Sequence, residues 1–375
     1  MGAKTEMQRR TFLAGMALPL WNTAWAQTTG TPERSSRAVT GLRVISKERR
    51  RALDENVAKE TAAALNRLIP EISEIELWNG APNARPRKAL RVIAWNTERG
   101  RYWREGARLI QETKALRDPD LVLLGEMDFG MARSSNQHTT REMAAALRMN
   151  YAYGVEFLEF TGGEPQERTL YPGENEMGFH GNAILSKYPL HDVRMLRFPG
   201  IEKWYAGKAY GATESEQVQK RLGGRMALFA TVKLGRDVTV VATHLESSPR
   251  DRATRKAQME TLLADLQTYS RGGPVIMGGD LNGAPDEPMF ESVKGAGFRP
   301  ADTNELTGGT LQDVVDGKVV VGRSYIDYVF ARGLPVTRDE TSPKVVMAAY
   351  PPGEKGKLLA DHAIVTARVE LPWVV

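Results

Sequence analysis

The sequence predicts an α/β protein in which packed β-sheets lie inside helices. From residue 89 onward, short apolar runs alternate with polar segments and amphipathic stretches, and runs this apolar need cover on at least one face. The composition is globular, with 41% hydrophobic and 26% charged residues. At 375 residues the chain has the length of one large or two ordinary domains.

Taken in order, the first 26 residues read as an export signal. MQRRTFLAG (7–15) gives a basic start, TFLAGMALPLW a short apolar stretch, and Ala24-Trp25-Ala26 a small-residue site before Gln27. Arg9-Arg10 followed by Thr11, Phe12 and Leu13 is similar to a bacterial twin-arginine signal, so a periplasmic or secreted location is expected. The apolar part is too short for a permanent span, and no stable membrane span is expected elsewhere. A Thr/Gly/Pro/Ser/Arg stretch to about residue 38 reads as linker. Ser46 then opens a helix in which Leu53, Val57, Ala64, Leu65 and Leu68 recur at helical spacing until Pro70. With the Pro-rich break at 81–89, the expected division is a signal over 1–26, a linker and amphipathic helical extension over 27–87, and the main domain over 88–375.

Within that domain the candidate strands are 89–96, 121–127, 151–157, 181–189, 226–234, 238–246, 274–280, 324–331 and 362–371. Helical periodicity is clearest over 251–270, where Met259, Leu262, Leu263, Leu266 and Tyr269 share a face; it recurs over 103–116 and 140–147. Lys and Arg number 51 against 46 acids, a net charge of +5 that is too small to name a nucleic-acid partner by itself. Cysteine is absent, which excludes disulfides, thiolate nucleophiles and cysteine-bound metals. Neither a Gly-x-Ser-x-Gly elbow nor His-Glu-x-x-His occurs, against serine-hydrolase and zincin chemistry. The chemistry falls to oxygen and imidazole groups.

Those groups recur where apolar strands end: Asn96 and Glu98, Glu126, His244, Asp280 and Asn282, Asp327, Asp361 and His362. Strand ends along one rim are where α/β folds gather sites from distant sequence. Glu98, Glu126 and Asp361 are hard anionic oxygens and Asn96 a neutral one, a set that selects Mg²⁺, or Mn²⁺ or Ca²⁺, over zinc. Asp280 is expected to take a proton from an attacking water, and Asn282 to donate to developing negative charge. His244 and His362 are expected to grip phosphate oxygens, with Asp327 orienting His362. This set describes metal-assisted, in-line attack on a phosphate ester.

The ordered motifs WNTE (95–98), LLGEMD (123–128), GNAILSKYPL (181–190), THLES (243–247), GGDLN (278–282), YIDYVF (325–330) and ADH (360–362) resemble those of the endonuclease/exonuclease/phosphatase superfamily over roughly residues 88–372. The resemblance implies a four-layered α/β sandwich, two packed mixed β-sheets flanked by helices, with Mg²⁺ dependence and the roles just argued. Ser324 stands where abasic-site endonucleases of that superfamily carry Trp, which argues against a specialised abasic-site role. The substrate is expected to be a phosphodiester, either nucleic acid or a phospholipid head group, with no obligate protein partner. A non-catalytic phosphate- or lipid-binding protein that kept the fold is the alternative. Arg133, Asn136 and His138, in the loop after Glu126, and Asn182 are the candidate substrate contacts. The insertion 199–221 adds Trp204, Tyr205 and Tyr210 among lysines; it reads first as a surface loop with anchoring aromatics, and otherwise as suited to lipid or to bases.

Overall fold

The structure, a computed structural model, describes residues 31–56, 64, 67–199, 220–247, 252–300, 309–322, 324–338 and 342–374. The expected signal, and Trp204, Tyr205 and Tyr210, lie outside the described residues. Ten strands carry the architecture: β1 (Ala89–Asn96), β2 (Leu121–Phe129), β3 (Asn150–Glu159), β4 (Phe179–Ser186), β5 (Leu190–Arg197), β6 (Met226–Lys233), β7 (Asp237–His244), β8 (Val275–Asp280), β9 (Asp327–Arg332) and β10 (Ile364–Glu370). One sheet runs β5-β6-β7-β8-β9 and the other β10-β1-β2-β4-β3, each extended by short edge strands. Both are mixed: β7 with β8 and β1 with β2 are parallel, and the remaining pairs of these ten strands are antiparallel.

Period-two alternation sorts the strand residues between two faces. Leu90, Val92 and Ala94 of β1 and Val238, Val240 and Ala242 of β7 fill the layer between the sheets. Ile93, Trp95, Val122 and Leu124 face outward under the helices Trp103–Glu112 and Thr139–Leu147. On the opposite side, Val241, Val275 and Met277 pack against Met259, Leu262 and Leu266 of the helix Arg252–Ser270. Each of those helix side chains is fully buried and contributes roughly 1.5–3 kcal/mol. The result is the expected four-layered sandwich of helix, sheet, sheet and helix.

Several expected boundaries shift. The helix from Ser46 is described over Lys47–Asn56, with Leu53 buried; Val57 and Leu65 lie outside the described residues. Within the span 27–87, expected as linker and extension, Glu33–Ser35 pairs with β5 while Ile75–Trp78 pairs with β3 and Ala38–Val39 with Ile75–Trp78, so these stretches are built into the sheets. Asp327 begins β9, and Asp361 and His362 precede β10, rather than ending strands. Because β9 runs antiparallel to β8, its start meets the end of β8 at the same rim.

Glu76, in the edge strand Ile75–Trp78, is a fully buried carboxylate. It accepts from Tyr151 Oη at 2.6 Å, Arg141 at 2.9 Å, the Leu42 N–H at 3.0 Å and His138 Nε2 at 3.0 Å. Burial opposes the anion, but these donors outweigh it and bring the group down from 4.5 to about 2. Burial pushes His138 itself below its ordinary value, so at neutral pH it serves Glu76 as a neutral donor. A depressed carboxyl stabilises above its unfolded value and loses that contribution as pH falls toward the folded one. Stability is therefore expected to drop between pH 4.5 and about 2, by on the order of 2–3 kcal/mol from this group. Urea unfolding at stepped pH should show a flatter profile in Glu76→Gln over that window; an unchanged profile overturns the assignment.

Candidate active site

The inner faces of the strands do not stay apolar to their ends. Leu90, Val92 and Ala94 continue in phase to Asn96; Val238, Val240 and Ala242 to His244; Ile276 and Gly278 to Asp280; and Ala331 and Val329 back to Asp327. β2 reaches the same face differently. Its register slips between Leu124 and Met127, and Glu126 adopts a left-handed φ of 57°, which turns its carboxylate inward to Asn96. Thr97 Oγ1 pins this bulge by donating to the Gly125 carbonyl at 2.9 Å. Gly279 answers a steric demand: at φ 138° a Cβ would lie 2.0 Å from the Thr243 carbonyl oxygen.

Asp280 is the meeting point. Its Oδ2 accepts from Asn96 Nδ2 at 3.1 Å and lies 3.5 Å from His244 Nε2 and 3.8 Å from His362 Nε2. Burial raises its carboxyl, and the neighbouring Asp327 raises it further. His362 Nδ1 lies 2.8 Å from Asp327 Oδ2, and the Trp95 indole N–H holds the His362 carbonyl at 3.1 Å. Burial works against a charged ring there, yet Asp327 and Asp280 outweigh it and keep His362 an imidazolium well above the ordinary histidine range. Burial likewise disfavours the Glu126 anion, but Arg99, foremost among several cations, holds its carboxyl well below the usual range. Asp280 thus retains affinity for a proton, His362 is a fixed cation, and Glu126 is a fixed anion.

The other expected residues divide. Glu98 accepts from the Asp361 N–H at 3.1 Å and pairs with Arg101, and Asp361 exposes 55% of its side chain at the mouth. Asn182 is buried, with Oδ1 against Gly125, and that oxygen meets no hydrogen-bond partner among the described residues. Asn282 is not in extended chain after Asp280. It turns at φ 50°, its N–H donates to Asp280 Oδ1 at 2.8 Å, and its amide donates to the Leu245 carbonyl at 3.1 Å. Asp280 is thereby oriented by the very residue expected to stand beside it.

Arg133, Asn136 and His138 are not brought to the rim. Arg133 is wholly buried among Asp128, Glu159 and Glu167. Asn136 staples its loop through the Glu174 carbonyl and the Glu176 N–H, and His138 caps the helix Thr139–Leu147 while stacked on Phe129. Loop polarity served internal pairing here. Two residues outside the expected set do reach the site: Arg225 contacts His244 Nδ1 at 2.9 Å and Glu156 Oε1 at 2.6 Å. The available signals were a charged residue on the inner phase of β3 and an arginine directly after Gly223-Gly224. His244 Nδ1 thus lies between the Arg225 guanidinium and Glu156 Oε2, the latter at 3.5 Å, which leaves Nε2 facing Asp280.

Two sheets packed face to face, with their inner faces turning acidic and cationic at one rim, define a hydrolase of phosphate esters. The sequence profile described as Endonuclease/Exonuclease/phosphatase family matches residues 93–347, and the chain belongs to that family. Among solved structures, the endonuclease/exonuclease/phosphatase of Beutenbergia cavernae matches at a TM-score of 0.50 and 20% identity, covering 76% of this chain and 72% of that one. The human Nocturnin catalytic domain with bound sulfate anion matches at 0.50 and 18% identity, over 77% of this chain and 96% of that one. Among curated proteins, Protein angel of Drosophila melanogaster is 28% identical over 107 residues, 24% of this chain and 30% of that protein's length. The solved structures, at these identities, share the fold.

Proposed function

We propose that the chain is a divalent-metal-dependent phosphodiesterase that hydrolyses nucleic acid by in-line attack of water. The observation that carries this is Asp280, a buried carboxyl with raised proton affinity, fixed between Asn96, the Asn282 N–H and two histidines. A raised carboxyl is a better general base near neutrality than an ordinary one. Asp280 would take the proton of the attacking water, while the His362 imidazolium, locked by Asp327, would donate to a non-bridging oxygen. His244 Nε2 would supply a second donor, backed by Arg225 and Glu156.

The donor set fits a hard divalent cation. Glu126, Glu98 and Asp361 offer carboxylate oxygens, and the Glu98 carboxyl is pushed up by burial and by Asp361, a crowding of negative charge that a cation relieves. Asn96 would have to turn its amide to join them, since its Nδ2 faces Glu126 and Asp280 while its Oδ1 accepts the Glu98 N–H at 3.1 Å. Asp280, Asp327 and His362 also bring ligand atoms within 4.8 Å of one another. There, however, the imidazolium already supplies the positive charge, so the oxygen-rich group is the better fit. When bound, the ion would polarise the phosphoryl oxygens and lower the pKa of its bound water. Mg²⁺ suits these ligands best, with Mn²⁺ or Ca²⁺ as substitutes.

Nucleic acid is favoured over a lipid head group by the surface next to Glu98. Tyr102, with Lys357 Nζ 3.8 Å from its ring centroid, and Tyr171 form a cation–aromatic cluster of the kind that takes bases and phosphates, backed by Arg101, which is 14% exposed, paired with Glu98 and 5.9 Å from each centroid. Among the described residues no helix is long and apolar enough to cross a membrane. Export through the 1–26 signal is part of the same proposal and rests on the sequence. Exhaustive EDTA treatment is expected to cut hydrolysis of single-stranded DNA by roughly 100-fold or more, with recovery on adding Mg²⁺ or Mn²⁺. Undiminished activity after chelation overturns the metal-dependent reading.

A further inference from the structure

Glu98, Arg99 and Gly100 follow one another at φ 47°, 78° and 64°, a left-handed run in which two side-chain-bearing residues sit where only glycine is comfortable. The run has a positional result: it throws the Arg99 side chain back onto Glu126, where its Nη1 donates to Oε2. The other Glu126 oxygen faces Asn96 Nδ2 at 3.3 Å. Arg99 is held from behind as well. Its Nε lies 3.4 Å from Glu167 Oε1, on the short helix Pro165–Leu170, and Glu167 Oε2 accepts from the buried Arg133 at 3.1 Å. Arg99 and Glu126 each expose only 15% of their side chains, so the guanidinium is a placed charge rather than a surface arm.

We infer that Arg99 is a positioning residue that fixes the Glu126 carboxylate and tempers its affinity for a divalent cation. The inference rests on the metal-dependent reading above. A cation approaching Glu126 shares both oxygens with groups already attached and meets a fixed positive charge anchored by Glu167. Removing that charge relieves the repulsion, and lysine at the same place preserves most of it.

The test is Mn²⁺ binding to the whole chain, followed by the electron paramagnetic resonance of the free ion, in the unaltered protein, Arg99→Gln and Arg99→Lys. Expected are about tenfold tighter binding in Arg99→Gln and near-unaltered affinity in Arg99→Lys. Unchanged or weaker binding in folded Arg99→Gln, or an equal gain in Arg99→Lys, overturns the inference while leaving the metal-dependent reading intact. Should Arg99→Gln not fold, a Mg²⁺ titration of the unaltered protein read on the Arg99 Nε–Hε resonance decides instead. The resonance is expected to move on saturation; a stationary one overturns the inference. If the unaltered chain binds no Mn²⁺ saturably, the metal-dependent reading fails and this inference with it.

Discussion

Asp280→Asn is expected to lower phosphodiester hydrolysis by about 10³-fold, within the range that general acid–base groups contribute. The fold should survive. Burial and Asp327 both raise the Asp280 carboxyl, so a neutral amide at this position removes a repulsion that the folded state otherwise bears. Against that gain, the Asn96 amide and the Asn282 N–H both donate to Asp280, at 3.1 Å and 2.8 Å, and an asparagine offers one acceptor where the carboxylate offered two. One donor is left facing an NH₂ group, which costs about 1–3 kcal/mol and partly offsets the relief. The net change in unfolding free energy is expected to be small while kcat collapses. Turnover of an aryl phosphodiester across pH, alongside urea unfolding, separates the two. Retention of most of the activity in a folded variant removes Asp280 from the mechanism, and with it the proposed reaction.

The largest expected effect on stability lies elsewhere, at Arg133. Its guanidinium is enclosed by three carboxylates: both Asp128 oxygens at 2.8 Å and 2.9 Å, Glu159 at 3.2 Å and Glu167 at 3.1 Å. Breaking a buried ion cluster by removing the cation its three carboxylates share leaves them crowded, with only partial balance from His180 at Asp128 and Arg99 at Glu167. Arg133→Met is accordingly expected to lose roughly 3–5 kcal/mol. Its pH dependence supplies a second reading. Burial opposes the Asp128 anion, but Arg133 and then His180 outweigh it and bring its carboxyl from 3.8 to about 2, so in the unaltered protein this stabilisation is full above pH 3.8 and fades as pH falls toward 2. Without Arg133, burial at Asp128 is opposed mainly by His180, and the carboxyls take up protons more readily. The variant should then be less destabilised at pH 5 than at pH 8, the reverse of the ordinary acid response. An equal loss at both pH values would mean that packing, not charge, explains the site.

How far the sequence discloses these features depends on what each one requires. Asn96, His244 and Asp280 are legible because a strand's alternation carries straight from apolar core to polar rim, and reading the strand is reading the direction of its last side chain. Asp327 and His362 are legible as chemistry but not as placement: their strands run in the opposite sense, which pairing alone determines. Asn282 shows where local reasoning stops. An extended chain two residues past Asp280 points its side chains together, but one left-handed residue converts that geometry into a turn that braces Asp280 from its own backbone. Arg133 and His138 sit in a polar loop and look available to a ligand; their partners Asp128, Glu159, Glu167 and Glu76 are dispersed between residues 76 and 167, and only the tertiary fold brings them together. Glu156 and Arg225 are the converse, two buried charges whose purpose appears once β3 is seen to place Glu156 by His244.

His244 stands opposite Asp280, and Asp280 opposite Asp327, as successive rungs across three neighbouring strands. Their spacing is therefore set by the ladder pitch of about 4.7–4.9 Å, and the connections beyond the rim have no part in setting it. Such a protein is modular in a specific sense: the loops above the rim can be exchanged like cassettes to retune what enters, while the reacting groups keep their separation. The vulnerability is the mirror image. Inserting or deleting a single residue inside β8 would swing Asp280 to the helix-covered face and leave the rim without its base, so length changes within that strand should be far less tolerated than long insertions a few residues away.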